Sequence, residues 1–192
     1  MIDGKLIRLR PPEPADSSLM VELANNPQVR ANVVGWDWPL SHHGQAEWLN
    51  ATLHHQTTRR LIVADLASGD PVGVTGLWDI DWRNRSALTA VKLMPEAAPP
   101  GAGTDSIMLT MAWAFHEVGL RRLHSSILSY NAASIGAYVR KCGWSIEGTS
   151  REAVFRHGVY NDLLQVGMLR TEFDRLEDAK YYVDSLYATR TG

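Results

Sequence analysis

The chain has 192 residues, 45% apolar and 21% charged, with a formal net charge of −2, and a chain of this size buries roughly 70% of its unfolded surface, enough to close a core without staples. The absence of any Lys/Arg run argues against general nucleic-acid binding, which depends on many phosphate contacts, and no stretch reaches the roughly 18 apolar residues of a membrane span. A single cysteine, Cys142, excludes an intrachain disulfide and a thiolate metal cluster. The opening "MIDGKLIRLRPPEPAD" has no apolar signal region, so a cytoplasmic protein is expected. His42–His43 and His54–His55 are sequence neighbours, which do not share a helix face, and no metal site is expected.

Apolar and basic residues alternate over 5–11, which predicts a half-buried strand ended by Pro11 and Pro12. A helix follows over 14–26, with Leu19, Met20 and Leu23 on one stripe and Asn25–Asn26–Pro27 as its stop. The aromatic loop "VVGWDWPL" leads to a second helix over 41–56, with Ser41 as a possible N-cap and Trp48, Leu49 and Leu53 at helical spacing. Residues 59–82 read as an antiparallel hairpin around a Ser-Gly-Asp-Pro turn, and 86–95 as a strand beside it.

"PEAAPPGAGT" then feeds a helix over 104–118, with Ile107, Met108, Met111 and Phe115 on its apolar face and Gly119 at its end. A strand over 121–130, a short helix over 131–143 closed by Gly143, a long hairpin turning near His157–Gly158 and a charged tail helix over 171–187 complete the chain. The order of elements predicts a mixed α/β sheet with helices on both faces, in a single domain over 1–192. The tail, rich in tyrosine and leucine, is a candidate homodimer surface.

A helix start carries unpaired N–H groups and the positive end of the helix dipole, so the turn before residue 104 is an anion site in waiting. Gly101 and Gly103 let the backbone come close, although a strand-to-helix turn often takes glycine for steric reasons alone. Pro99 and Pro100 cannot donate at all.

With "SYNAASIGAYVRKCGWSIEGTSRE", in which Asn131, Ser134, Tyr138, Gly143, Trp144, Glu147 and Gly148 recur at characteristic spacing, this loop resembles the GNAT superfamily of acyl-CoA-dependent N-acetyltransferases. The likeness is to the branch of ribosomal-protein N-terminal and spermidine acetyltransferases, and it runs from "IRLRP" to "GML". It implies a GNAT-like fold: a mostly antiparallel twisted sheet of about seven strands, with a splayed parallel pair at 86–94 and 122–130. It implies acetyl-CoA as cosubstrate, its pyrophosphate on the amides of Gly101, Gly103 and Thr104 and its pantetheine along the edge of Lys92, Leu93 and Met94, with Asn131 and Ser134 against it.

The resemblance makes Tyr138 the acid that protonates the departing thiolate, a role acetyl transfer requires. The chain departs from the family pattern at Ala98, Pro99 and Pro100, where cationic, amide or glycine residues are usual, and at Leu88, where many relatives carry a glutamate base. Asp79, Asp81, Glu152 and His157 are the other candidates for that base, as are water chains. Trp36, Asp37, Trp38, Trp78, Trp82 and Glu152 are the expected acceptor-binding residues, aromatic faces and carboxylates suited to an ammonium. Trp48 and Trp113 are expected in the core. The expected reaction is direct attack of a primary amine in a ternary complex, the amine belonging to a polyamine, an amino sugar, an aminoglycoside-like compound or a protein N-terminus. Cys142, just before a helix-ending glycine, is not expected to be a nucleophile. The alternative is a degenerate module that binds acyl-CoA or a partner without catalysis.

Overall fold

The alternation in "IRLR" puts Ile7 and Leu9 in the core, and β2 (Ile7–Arg10) forms within the predicted segment. The computed structural model describes residues 1–36, 39–41, 43–44, 56–156 and 158–188. A strand too short for any period to register, β1 (Ile2–Asp3), pairs antiparallel with β2. The segment 14–26 starts as a 3-10 turn at Pro14–Asp16 and continues as α1 (Ser17–Asn25).

The Asn-Asn-Pro stop holds, yet the chain re-enters a helix at once. Asn26 accepts hydrogen bonds from the N–H groups of Gln28 and Val29 at 2.9 and 3.2 Å, and Pro27 opens α2 (Pro27–Asn32). An asparagine cap followed by proline is a start signal as well as a stop, because proline has no N–H to leave unsatisfied in the first turn. The helix predicted over 41–56, with Trp48, falls mainly outside the described residues.

Strands β3 (Arg59–Asp65), β4 (Pro71–Asp81) and β5 (Ser86–Leu93) form an antiparallel meander. Helix α3 (Ala102–Ala112) begins earlier than predicted, taking Gly103 into its first turn, and runs on through a π-helical turn at Trp113–Glu117. Gly119, at φ 77°, follows its end. Then come β6 (Arg122–Leu128), α4 (Ala132–Ile135) with a π-helical turn at Gly136–Lys141, and the hairpin β7 (Ser145–Arg156) and β8 (Val159–Leu169).

The tail helix predicted over 171–187 is in fact two, α5 (Arg170–Phe173) and α6 (Ala179–Tyr187). Buried Phe173, whose ring centroid lies 5.6 Å from that of Phe115, anchors the first piece, while Ala179 and Tyr182 anchor the second.

Among the described residues the sheet runs β1-β2-β3-β4-β5-β6-β8-β7, eight strands rather than about seven, and only β5–β6 is parallel. Leu19, Met20, Leu23 and Val29 of α1 and α2 pack on Ile62 and Val74 of one face. The other face packs against α3 and α6 through Ile107, Met111, Phe115 and Tyr182. Trp113 packs against that second cluster, as expected. A buried carboxylate fastens the first strands to α3: Asp105 accepts from the backbone N–H groups of Lys5, Leu6 and Ile7 at 3.0, 2.7 and 3.0 Å. No described helix is long and apolar enough to cross a membrane.

Candidate active site

Strands β5 and β6 pair only between Ser86–Leu88 and Arg122–His124, although they continue to Leu93 and Leu128. Past Leu88 they diverge. Two cavities, of about 340 and 270 Å³, border the opening and share Val91, Lys92, Asn131, Ser134 and Tyr138 in their walls.

At one end of the opening lies the start of α3. Gly101 caps it at φ 95°, and a Cβ there would stand 2.9 Å from Leu6 Cδ1, so both backbone and space call for glycine. The Ala102 N–H donates to the Pro99 carbonyl and the Asp105 N–H to that of Gly101, each at 3.0 Å. The amides of Gly101, Gly103 and Thr104 have no acceptor among the described residues. They remain open to an anion, reinforced by the helix dipole. Gly103 lines the smaller cavity, where its missing side chain leaves room beside Leu93. Free amides at the helix start and an unpaired strand edge fit the diphosphate and the amide-containing arm of acetyl-CoA. Pro99 contributes its carbonyl to the turn, which needs no donor from it.

Tyr138 stands at the other end, on the π-helical turn after α4, and borders both cavities. Its ring meets Trp144 edge to face, centroids 5.0 Å apart at 85°, and the indole N–H of Trp144 donates to the Met111 sulfur at 3.1 Å. Burial drives the Tyr138 hydroxyl pKa above its ordinary value, nearby Cys142 adding to this and the Val91 N–H opposing it. The hydroxyl therefore keeps its proton at any physiological pH. Asn131 caps α4 by accepting from the Ser134 N–H at 3.0 Å and donates to the Asn32 carbonyl at 3.2 Å, which ties α2 to the cavity wall. The Cys142 thiol, pushed up to about 12 chiefly by burial, faces the Thr104 carbonyl at 3.8 Å. It is not a thiolate nucleophile.

On the α1–α2 side the arrangement departs from expectation. The Lys92 ammonium lies 4.3 Å from the ring centroid of Trp36 and 5.1 Å from that of Trp78, so the aromatic faces expected to attract a substrate ammonium are held by the chain's own lysine. The family resemblance assigns Lys92 a role only through its backbone, so nothing in the sequence marks its side chain. Asp79, at φ 49° and exposed, lines the larger cavity with Trp78 and Leu88.

Other expected residues stand elsewhere. Asp81 accepts from the Asn84 N–H and side-chain amide at 2.8 and 2.7 Å, which makes it a turn residue outside both cavities. Trp82 is 49% exposed and donates to the Gln56 carbonyl. Glu152 is exposed on the terminal hairpin, where its N–H donates to Asp162. Neither lines a cavity. Leu93 borders the smaller cavity, whereas Met94 packs beside the α1–α2 cluster. Asp37, Trp38 and His157 lie outside the described residues. Asn32, Val33, Ser125 and Ser126, which no motif marks, do line the larger cavity. Among the described residues no group of three His, Cys, Asp or Glu could hold a metal ion.

Residues 7–145 match the family model described as "Acetyltransferase (GNAT) domain". A spermidine N(1)-acetyltransferase of Escherichia coli is 25% identical over 87% of this chain and 88% of its own length. Among solved structures, the spermidine N-acetyltransferase of Vibrio cholerae in complex with CoA and spermine superposes with a TM-score of 0.80 at 24% identity, covering 86% of this chain and 96% of that one; at that identity the likeness speaks for the fold. A dodecameric form of a Vibrio cholerae spermidine N-acetyltransferase gives a TM-score of 0.77 at 25% identity, covering 88% and 96%.

Proposed function

We propose, from the premise that the chain belongs to the GNAT acetyltransferase family, a division of labour among its own residues in the acetyl-CoA-dependent N-acetylation of a primary amine. Acetyl-CoA supplies an activated acyl group as a thioester. The amides of Gly101, Gly103 and Thr104 hold its diphosphate, and the unpaired edge of β5 over Val91–Leu93 orients its arm toward the carbonyl to be attacked, a donor role of oxyanion-hole type.

As the nitrogen–carbon bond forms and the carbon–sulfur bond breaks, Tyr138 gives its hydroxyl proton to the sulfur, and the proton still carried by the acylated nitrogen returns to the Tyr138 oxygen, directly or through water. Asp79, the carboxylate bordering the larger cavity, takes the ammonium proton of the incoming amine directly or through water. Asn131 and Ser134 hold the wall between α2 and α4 against the cosubstrate. One observation carries this reading: β5 and β6 part just beyond Leu88, leaving a cleft with free helix-start amides at one end and the Tyr138 hydroxyl at the other.

A module that had lost its cosubstrate is not favoured, since the prolines of the loop leave those three amides open. Spermidine, the acceptor in the relatives' names, leads the small-molecule amines to be tried. Self-association of a single domain in the cytoplasm belongs to the same reading, with the dodecameric relative as its precedent. Release of free thiol from acetyl-CoA in a screen of primary amines tests it. Amine-dependent release is expected, and its absence for every amine, with no acetyl-CoA binding by calorimetry, would overturn it.

A further inference from the structure

Among the described residues, Lys92 is the positively charged side chain in the walls of the two cavities. Register and alternation fix where it points: Lys92 is opposite Val74, Leu88 is opposite Trp78, and between these rows stand Ala90 and Gly76, so all of them face α1 and α2. With Ala90 and Gly76 as a floor almost without side chains, the lysine stem reaches toward Trp78, and Trp36 covers it after α2. Arg60, opposite Gly76, adds a second positive charge to this face. Tyr138 and Asp79 are the other titratable groups of the cavity walls.

The Lys92 ammonium makes no ion pair or hydrogen bond with any described residue. A half-buried ammonium normally has a carboxylate or carbonyl partner, because desolvation without compensation is costly. Two indole faces compensate the charge in part. Among the described residues they leave the ammonium without a hydrogen-bond acceptor.

We infer that Lys92 is a specificity-determining residue that receives an anionic group of the acceptor, so that the preferred substrate is a primary amine also bearing a carboxylate or phosphate. Asp79 and Lys92 give the larger cavity one charge of each sign. The amine end of such a molecule is drawn to Asp79 and its anionic end to Lys92, whereas a polyamine brings a second ammonium toward Lys92 and Arg60. The inference rests on the reading that this cavity acetylates amines, and it departs from the acceptor class of the relatives.

The test compares kcat/KM for propylamine, 3-aminopropanoate, 2-aminoethyl phosphate and spermidine, by thiol release from acetyl-CoA, in the wild type, Lys92→Met and Lys92→Arg. In the wild type at least one anionic amine is expected to exceed propylamine about tenfold, through KM, and to exceed spermidine, as one charge-assisted contact implies. Which of the two does so tells carboxylate from phosphate. Lys92→Met is expected to bring the ratio to propylamine near one, and Lys92→Arg to retain most of it. A wild type that favours spermidine, or a ratio unmoved in Lys92→Met, overturns the inference.

If no amine releases thiol, it is the acetyl-transfer reading that fails. The inference is then judged by titrating both anionic amines against tryptophan fluorescence, since Trp36 and Trp78 flank the ammonium. A saturable change in the wild type that Lys92→Met abolishes supports it, and no saturable change refutes it.

Discussion

The hydroxyl of Tyr182 donates to the carboxylate of Asp105 at 2.7 Å. The same carboxylate holds three consecutive backbone N–H groups at the start of β2, so one side chain joins the first strands, the helix that opens at the cleft and the C-terminal helix. Gly4 makes room for it, as a Cβ there would come within 2.5 Å of an Asp105 oxygen. Replacing Asp105 by Ala strands buried donors and is expected to cost about 3 kcal/mol or more. Chemical denaturation of the purified variant measures this, and a loss below about 1 kcal/mol would contradict the role.

Tyr138→Phe keeps the ring against Trp144 and removes only the hydroxyl group. Turnover is expected to fall at least about tenfold while calorimetric affinity for acetyl-CoA stays nearly constant, the outcome that the proposed acid role requires. Because burial raises its pKa, deprotonation of Tyr138 should produce no alkaline loss of kcat up to about pH 10. Unchanged turnover in the Phe variant would remove its assignment as the acid.

The two loop glycines are expected to separate folding from binding. Gly101→Ala meets both a left-handed backbone and Leu6 Cδ1, and should lower stability by about 1–3 kcal/mol. Gly103→Ala meets only an ordinary contact with Leu93 at 3.8 Å, so the melting temperature should hardly move. Its methyl group intrudes beside a free amide, and the KM for acetyl-CoA should rise severalfold. Equal behaviour of the two variants would count against this division.

Pro100 is exposed just before the helix cap. Pro100→Arg sets a guanidinium beside the open amides, and a charge-assisted bond there is worth roughly 1.5–3 kcal/mol. Tightening of acetyl-CoA binding by about tenfold is expected in calorimetry, lessening as salt is added. No tightening would mean that the diphosphate does not sit at this turn.

The acceptor preference should depend on pH with a sign that Lys92 sets. Burial first, and Arg60 second, disfavour its charged form and bring its pKa down to about 8. The lysine is therefore mostly protonated at pH 7 and mostly neutral at pH 9. Deprotonation of the acceptor's own nitrogen affects propylamine and 3-aminopropanoate alike and cancels in their ratio. The ratio of their kcat/KM values is expected to fall as pH rises through about 8, and a flat ratio would deny the lysine that part.

Strands, hairpins and the Gly-rich helix start were legible in the sequence because each depends on neighbours along the chain: alternation marked Ile7 and Leu9, and the spacing from Asn131 to Tyr138 marked the wall of the cleft. The break between Phe173 and Ala179 was not legible, since it comes from the separate anchoring of Phe173 and Tyr182 against distant side chains. Asp81 misled for a related reason. Its carboxylate is occupied by Asn84, a partner close in sequence but decided only by the path of the turn.

By itself the sequence determined a mixed sheet with helices on both faces, a glycine turn that feeds a helix start, and the Asn131-to-Gly148 spacing that carries the family resemblance, because periodicity, caps and motifs are local properties. Only the tertiary structure decided which side chains surround the Lys92 ammonium. Lys92, Trp36, Trp78 and Arg60 come from four separate segments, and their common position is set by cross-strand register and by the seating of α2 on the sheet. Coulomb and desolvation energies depend on distances in space, which no spacing along the chain encodes.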